Sequence, residues 1–268
     1  MAIFDCFQYF NEDHMIDLRM NILNEDVDFF VISESTKTHQ GERKKLNFKI
    51  ENFKKYKHKI IYTVADFKND ENILNHEGGE SLIEQHQRNN ILNGLGKAED
   101  NDLIILSDSD EIPDLKKINQ IKKSTKFTAF AQKMFMYKLN LQNLNESNWI
   151  GSRICLKKNL PQPQKLRDLK FKNYPFWRID KLNLQIIYGG WHFSFLQSPE
   201  DIAKKIRSYS HGEFNTDDNV NIDNINQKIR ENKDIFDRNF EFKVIDIDNN
   251  FPDYIFKNKV HLKDWIIS

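Results

Sequence analysis

Leu103-Ile104-Ile105-Leu106-Ser107-Asp108-Ser109-Asp110-Glu111-Ile112-Pro113 is the stretch that decides how this chain is read. Four consecutive apolar residues, flanked by polar ones, suit a strand buried on both faces of a parallel sheet. That strand runs straight into three closely spaced carboxylates. Like charges held together at the rim of an apolar layer repel one another and call for a cation. Two aspartates one residue apart in an extended segment point the same way, and hard oxygen donors suit Mg²⁺ or Mn²⁺. An isolated Asp-x-Asp in an arbitrary loop is usually an exposed acidic turn. Following an apolar strand, it sits where open α/β sheets bind ligands, at the carboxyl ends of their strands.

Upstream, strand-like and helix-like patterns alternate. Residues 2–10 read as a strand, 15–23 as a helix, 27–32 and 59–64 as strands, and 79–95 as a long helix with Gly96 as its stop. Residues 102–106 give the fourth strand of an α/β fold around a mainly parallel, Rossmann-like sheet flanked by helices. Downstream, residues 127–137 and 184–195 are aromatic and strand-like. The middle between them reads as loop because of Pro161, Pro163 and Pro175, so these strands are expected to build over one end of the sheet. Ser198-Pro199-Glu200-Asp201 is a compact helix start for residues 198–209, and a polar helix is expected over 222–233. A single domain is expected, with residues 1–125 as a nucleotide-binding half and 126–268 as an acceptor-binding half.

The 268 residues carry 40 Lys and Arg against 40 Asp and Glu, so no global basic excess points to nucleic acid, and no nucleic-acid partner is expected. No apolar run approaches the roughly 20 residues that span a bilayer, and no secretory leader is visible, so a cytoplasmic location is expected, with peripheral membrane association left open. The two cysteines, Cys6 and Cys155, lack metal-ligand or disulfide spacing and read as small buried residues.

A strand leading into Asp108-Ser109-Asp110-Glu111-Ile112-Pro113 resembles the Asp-x-Asp segment of GT-A glycosyltransferases, in the form found in family 17. That is the family of the β-1,4-mannosyl-glycoprotein N-acetylglucosaminyltransferase that adds the bisecting sugar. Other pieces fall in the family's order: Phe4-Asp5-Cys6-Phe7-Gln8-Tyr9-Phe10-Asn11-Glu12, Glu34-Ser35, Thr38-His39-x-Gly41 with Lys44 and Leu46, Gln87-Arg88-Asn89, and Gly189-Gly190-Trp191-His192-Phe193-Ser194. The resemblance implies a GT-A fold and transfer of a sugar, first candidate N-acetylglucosamine, from a UDP-sugar to a glycan acceptor with inversion to a β linkage. It also implies Mn²⁺ or Mg²⁺ held against the donor diphosphate.

On that reading Asp110 is the first choice for a metal ligand. Asp108 joins it or contacts the donor ribose, and Glu111 stands behind them. His192, set among aromatics, would commonly be a core residue, but the glycine pair before it allows close backbone approach, and the resemblance makes it a further metal ligand. Trp191 is expected to stack on sugar or base. Arg88 is expected on the diphosphate, where a guanidinium fork fits well. Lys44 would do likewise, though it lies in a charge run of the kind usually left solvated. Asn11, Glu12 and Glu34 are expected near uracil and ribose.

An inverting displacement needs a base for the acceptor hydroxyl. Glu213 is nominated, with Asp180 and Glu200 as runners-up and His211 as a partner for Glu213. A first-turn acidic residue such as Glu200 is already explained by the helix dipole. Trp149, Arg153, Phe176 and Trp177 are candidates for the acceptor side. The acceptor itself is expected to be a surface glycan, lipopolysaccharide or capsule. Two other functions fit parts of the pattern. A sugar-phosphate nucleotidyltransferase would share the acidic metal site but would bring an N-terminal glycine-rich loop that residues 1–20 lack. A non-catalytic carbohydrate-binding module would need only the aromatic richness.

Overall fold

The structure, a computed structural model, describes residues 1–67, 81–172, 174 and 177–268. Strands β1 (Ile3–Tyr9), β2 (Phe29–Ser35), β3 (Ile60–Ala65) and β4 (Leu103–Ser107) lie side by side in the order β3-β2-β1-β4, all parallel. Their alternation divides the core. Phe7, Phe30, Ile32 and Ile105 face helix α1 (Asp13–Leu23) through Ile16, Leu18 and Leu23, whereas Phe4, Cys6, Val31, Ile104 and Leu106 pack on the other face with Ile91 and Cys155. Both faces are covered, so these strands carry near-continuous apolar runs, as the sequence suggested. Both cysteines are buried and free.

The chain steps outward from β1 through β2 to β3, then returns to place β4 on the other flank of β1. The carboxyl ends of β1 and β4 therefore flank a crevice at which the winding reverses, the place where such sheets take ligands. Asn11 and Glu12 follow β1, and the acidic segment follows β4.

The second half extends the same sheet rather than capping one end of it. β8 (Trp149–Leu156) runs antiparallel beside β4, β6 (Phe127–Met136) lies antiparallel to β8, and β7 (Leu141–Asn143) and β10 (Phe242–Val244) continue the edge. β9 (Leu184–Ser194) runs parallel to β6 and pairs with β5 (Glu111–Ile112), the two-residue strand that continues the acidic segment. β8 was expected to be loop. Its Gly151, Ser152 and Arg153 hide a strand in the middle of the sheet.

The expected helix over 79–95 is shorter. Gly79 lies outside the described residues, Ser81 caps α2 (Leu82–Asn89), and the chain then tightens into a 3-10 turn over Asn90–Gly94. The Asn90 amide bonds Ser33 Oγ and Thr63 Oγ1, and a Cβ on Gly94 would clash with the Val31 side chain, so the turn is drawn onto β2 and β3. Gly96 keeps a negative φ and forms no left-handed stop. Downstream, α3 (Pro163–Asp168) is followed by α4 (Pro199–Ser208), capped by the Ser198 hydroxyl on Asp201 N at 3.2 Å, α5 (Ile222–Arg230) and α6 (Asp253–Lys257). α4 and α5 pack through Ile202, Ile206 and Ile225 against Met136, Tyr137 and Phe195. Among the described residues no helix is long and apolar enough to cross a membrane.

Candidate active site

The turn after β4 leaves none of its carbonyls unused. Arg19, fully buried on α1, donates from Nη1 to the carbonyls of Asp108 (3.3 Å), Ser109 (3.3 Å) and Glu111 (2.6 Å), and its other nitrogens grip Asp5 at 2.6 and 2.7 Å. The Asp110 carbonyl accepts from Phe193 N at 2.9 Å. With the backbone satisfied from behind, the side chains of Asp108 and Asp110 face a cavity of about 450 Å³ that also takes in Glu12, Trp149, His192, Lys205 and His211.

Asp110 sits between an imidazole and an ammonium. Its Oδ1 is 3.5 Å from His192 Nε2 and its Oδ2 is 3.3 Å from Lys205 Nζ. Burial alone would raise the carboxyl's pKa, but the charges and hydrogen bonds of Lys205 and His192 outweigh it and hold Asp110 well below the usual carboxylate range. The same pairing raises His192 and Lys205 in spite of their own burial. Lys205 also reaches Glu12, 3.9 Å away, whose other oxygen accepts from Phe10 N and Asn11 N. Asn11 donates to Asp201 at 3.3 Å, while its buried Oδ1 has no partner.

Register decides that His192 is the residue at Asp110. Along β6 and β9 the pairing runs Phe127 with Leu184 to Ala131 with Tyr188, then resumes at Lys133 with Trp191, one residue later on β9. The extra residue is a bulge at Gly189-Gly190, and Gly190 has a φ of 107°. In an unbroken strand His192 would share the face of Tyr188. With the bulge it sits beside Met134 and opposite Glu111, facing the cavity. The glycines serve backbone packing as well: a Cβ on Gly190 would lie 2.5 Å from the Ile112 carbonyl oxygen.

The same register turns Trp191 away. It lines a separate cavity of about 690 Å³ on the opposite face, so it does not stack on a ligand held at Asp110. Asp108 is not brought to Asp110 and His192 either. Arg167 on α3 holds its Oδ2 at 2.8 Å and Arg88 on α2 its Oδ1 at 3.3 Å. Arg88 also bonds Glu84 and Gln164 and lies behind Asp108 rather than in the cavity.

Arg167 is bidentate on the fully buried Glu111, 2.8 Å to each oxygen, and Trp149 Nε1 adds a third bond at 2.7 Å. Burial pushes Glu111 up, yet these partners pull its pKa from 4.5 down to about 2. Trp149 thus lines the cavity with its ring 5.0 Å from that of His192.

Other sequence candidates lie elsewhere. Both Glu34 oxygens are engaged inside the protein, by Lys44, by Asn47 N at 2.7 Å, by Phe48 N at 3.1 Å and by the Tyr62 hydroxyl at 2.8 Å, so Glu34 clamps the 44–48 loop instead of facing a ribose. Lys44, although at the cavity wall, is its partner. Asp180 is exposed, bound at 2.8 Å by Arg178, and is not among the residues that line the cavity. Glu200 is exposed in the first turn of α4, outside the cavity lining. Arg153 is buried against its own strand's carbonyls, Trp177 is exposed, and Phe176 lies outside the described residues. Glu213 is exposed in the Gly212–Phe214 turn, with Oε1 2.9 Å from Nδ1 of His211, and it is His211 that lines the cavity.

Arg19, Asp5, Arg167 and Lys205 were not anticipated. A signal existed for the first two: Arg19 lies on the apolar face of α1 beside Met15, Ile16 and Met20, and Asp5 interrupts a buried strand. An arginine and an aspartate that must both be buried are candidates for each other.

Among the described residues no three His, Cys, Asp or Glu side chains form a ready metal cage. Asp110 and His192 nevertheless supply a carboxylate oxygen and an imidazole nitrogen on one cavity wall, and His192 Nδ1 is buried without a partner. Mg²⁺ and Mn²⁺ sites that complete their coordination with substrate phosphates and water need only one or two protein donors, so the pair fits such an ion.

Comparison with known proteins gives distant and close answers. HddC from Yersinia pseudotuberculosis, complexed with GMP-PN, is 12% identical over 80% of this chain and 100% of that one, with a TM-score of 0.39. A glycosyltransferase involved in the glycosylation of the major capsid of PBCV-1 is 12% identical over 70% and 81%, with a TM-score of 0.31. No curated protein matches. The model of glycosyltransferase family 17 matches residues 1–249, nearly the whole chain, and the protein therefore belongs to that family and is a glycosyltransferase.

Proposed function

We propose that the protein transfers a sugar, first candidate N-acetylglucosamine, from a UDP-sugar to a glycan acceptor, with inversion to a β linkage and with Mn²⁺ or Mg²⁺ bound at Asp110 and His192. The observation that carries this reading is the convergence of Asp110, His192 and Lys205 on one cavity at the crevice between β1 and β4. The ion, when bound, offsets the charge that gathers on the departing diphosphate.

The protein's own groups do the rest. Lys205 adds a positive charge on the diphosphate side, and Arg167 with Arg88 keeps Asp108 fixed at the cavity wall. After β1 it is Phe10 and Glu12 that line the cavity and face the nucleoside, while Asn11, outside the lining, is bonded to Asp201. At the mouth, Glu213 accepts from His211 Nδ1, which fixes the ring with Nε2 as the acceptor nitrogen; that atom takes the proton of the attacking hydroxyl. The nominated carboxylate thus acts through His211. The donor half, residues 1–125, is completed by His192 and Lys205 from the acceptor-side half, residues 126–268, and the acceptor is a surface glycan of the lipopolysaccharide or capsule type.

Calorimetric titration with UDP, with and without Mn²⁺, tests the reading. Tighter binding with Mn²⁺, lost in Asp110→Ala, is expected, together with slow release of UDP from UDP-N-acetylglucosamine. Undiminished Mn²⁺-linked binding by a folded Asp110→Ala protein would refute the site.

A further inference from the structure

We infer that Arg19 is a positioning residue of the transfer site, an internal cation that shapes the Asp108–Glu111 turn so that Asp110 faces the cavity. The inference rests on the proposed function. Three main-chain oxygens from a four-residue turn converge on a single guanidinium nitrogen. Oxygens so gathered repel one another, and in a fully buried place no water relieves them. The guanidinium does, and its planar fork leaves Nε and Nη2 for both oxygens of Asp5, which holds the plane in place. Asp5 lies on β1 and Arg19 on α1, so the pair ties the first strand, the first helix and the turn after the fourth strand into one unit. Glu12, next to the start of the same helix, meets Lys205, the residue that reaches Asp110 from the other side. The Asp110 side chain is thereby fixed by α1 from behind and flanked by His192 and Lys205 in front.

A buried Arg-Asp pair that served only the core would stabilise the protein without regard to ligand. Arg19→Lys separates the two roles. An ammonium can stay with Asp5, but it is a point charge and cannot also span three carbonyls. The readout is UDP affinity with Mn²⁺ and again in EDTA, measured where circular dichroism shows the variant fully folded. The expected result is at least a tenfold weaker Kd with Mn²⁺ and a change of less than threefold in EDTA, since the nucleoside contacts after β1 are untouched. Transfer should fall in parallel.

Asp5→Leu/Arg19→Met, which replaces the buried pair by apolar residues, is the second variant, because such replacements often preserve folding. It should show the same selective loss. A folded variant of either kind that binds UDP with Mn²⁺ within twofold of wild type overturns the inference. So does an equal loss with and without Mn²⁺, or failure of both variants to fold, which would mark the pair as a core element alone. Wild-type protein that binds UDP no better with Mn²⁺ would instead count against the proposed function.

Discussion

Arg167→Met removes the guanidinium that neutralises Glu111, and the consequence is a stability loss with a defined pH signature. Glu111 is fully buried, and its only other side-chain donor among the described contacts is Trp149 Nε1. In the native protein burial would raise the carboxyl, but Arg167 and Trp149 depress it from 4.5 to about 2, so it stays ionised at neutral pH. Deleting one partner of a buried ion pair typically costs about 3 kcal/mol or more. The Arg167 contact with Asp108 adds little, since Asp108 is more than a third exposed and solvent screens it.

A carboxylate with a depressed folded pKa contributes stability that is complete above its unfolded value and disappears as pH falls toward its folded value. Wild type should therefore lose this contribution between about pH 5 and pH 2. In Arg167→Met, burial acts on Glu111 without its counter-charge, so its pKa rises and acid no longer costs the variant this contribution. The gap between the two proteins is then largest at pH 7 and narrows below about pH 5. Urea denaturation at pH 7, 5 and 4 measures it, and melting at pH 7 should drop by roughly 6–12 °C at about 2–4 °C per kcal/mol. A deficit below about 1 kcal/mol at pH 7, or one that stays constant down to pH 4, would refute the assignment of Arg167 as the counter-charge of Glu111.

Gly190→Ala places a Cβ at positive φ against the Ile112 carbonyl oxygen, so a loss of about 2–3 kcal/mol in chemical denaturation is expected, together with weaker Mn²⁺-linked UDP binding as His192 shifts. Lys205→Met removes an ammonium that competes with a metal ion for Asp110; Mn²⁺ titration should show tighter binding in the absence of nucleotide, while transfer falls. Weaker Mn²⁺ binding would contradict that competition. Glu213→Gln should lower kcat by about 10²-fold with the donor KM unchanged, and His211→Gln by as much or more, because the carboxylate acts through the imidazole. Steady-state kinetics with saturating acceptor separate these from binding effects.

What could be read from the sequence, and what could not, follows from where each interaction closes. The strands and helix of the parallel half were legible because their apolar periodicity is local, and the acidic cluster that ends β4 was legible as one that calls for positive charge, which Arg88, Arg167 and Lys205 bring to it. β8 was not, because Gly151, Ser152 and Arg153 satisfy needs that arise only in the folded sheet. A Cβ on Gly151 would strike the Gln132 side chain, and Ser152 Oγ bridges Ser107 and Gln132.

The cations of the site show the same division. Arg88 was expected on a diphosphate from its residue type, yet Glu84 one turn earlier and Gln164 from α3 claim most of its fork, so it supports Asp108 instead. Arg167 and Lys205 lie 59 and 95 residues from the aspartates they hold, and nothing near them in the chain announces those partners. Arg19 and Asp5 differ from both. Each stands on a face whose neighbours are apolar, so each must be buried, and a buried charge requires a partner. A charge on the apolar face of a helix or strand therefore identifies a structural or positioning pair before any coordinates exist, whereas a charge on a polar face does not, and the residues that frame Asp110 include both kinds.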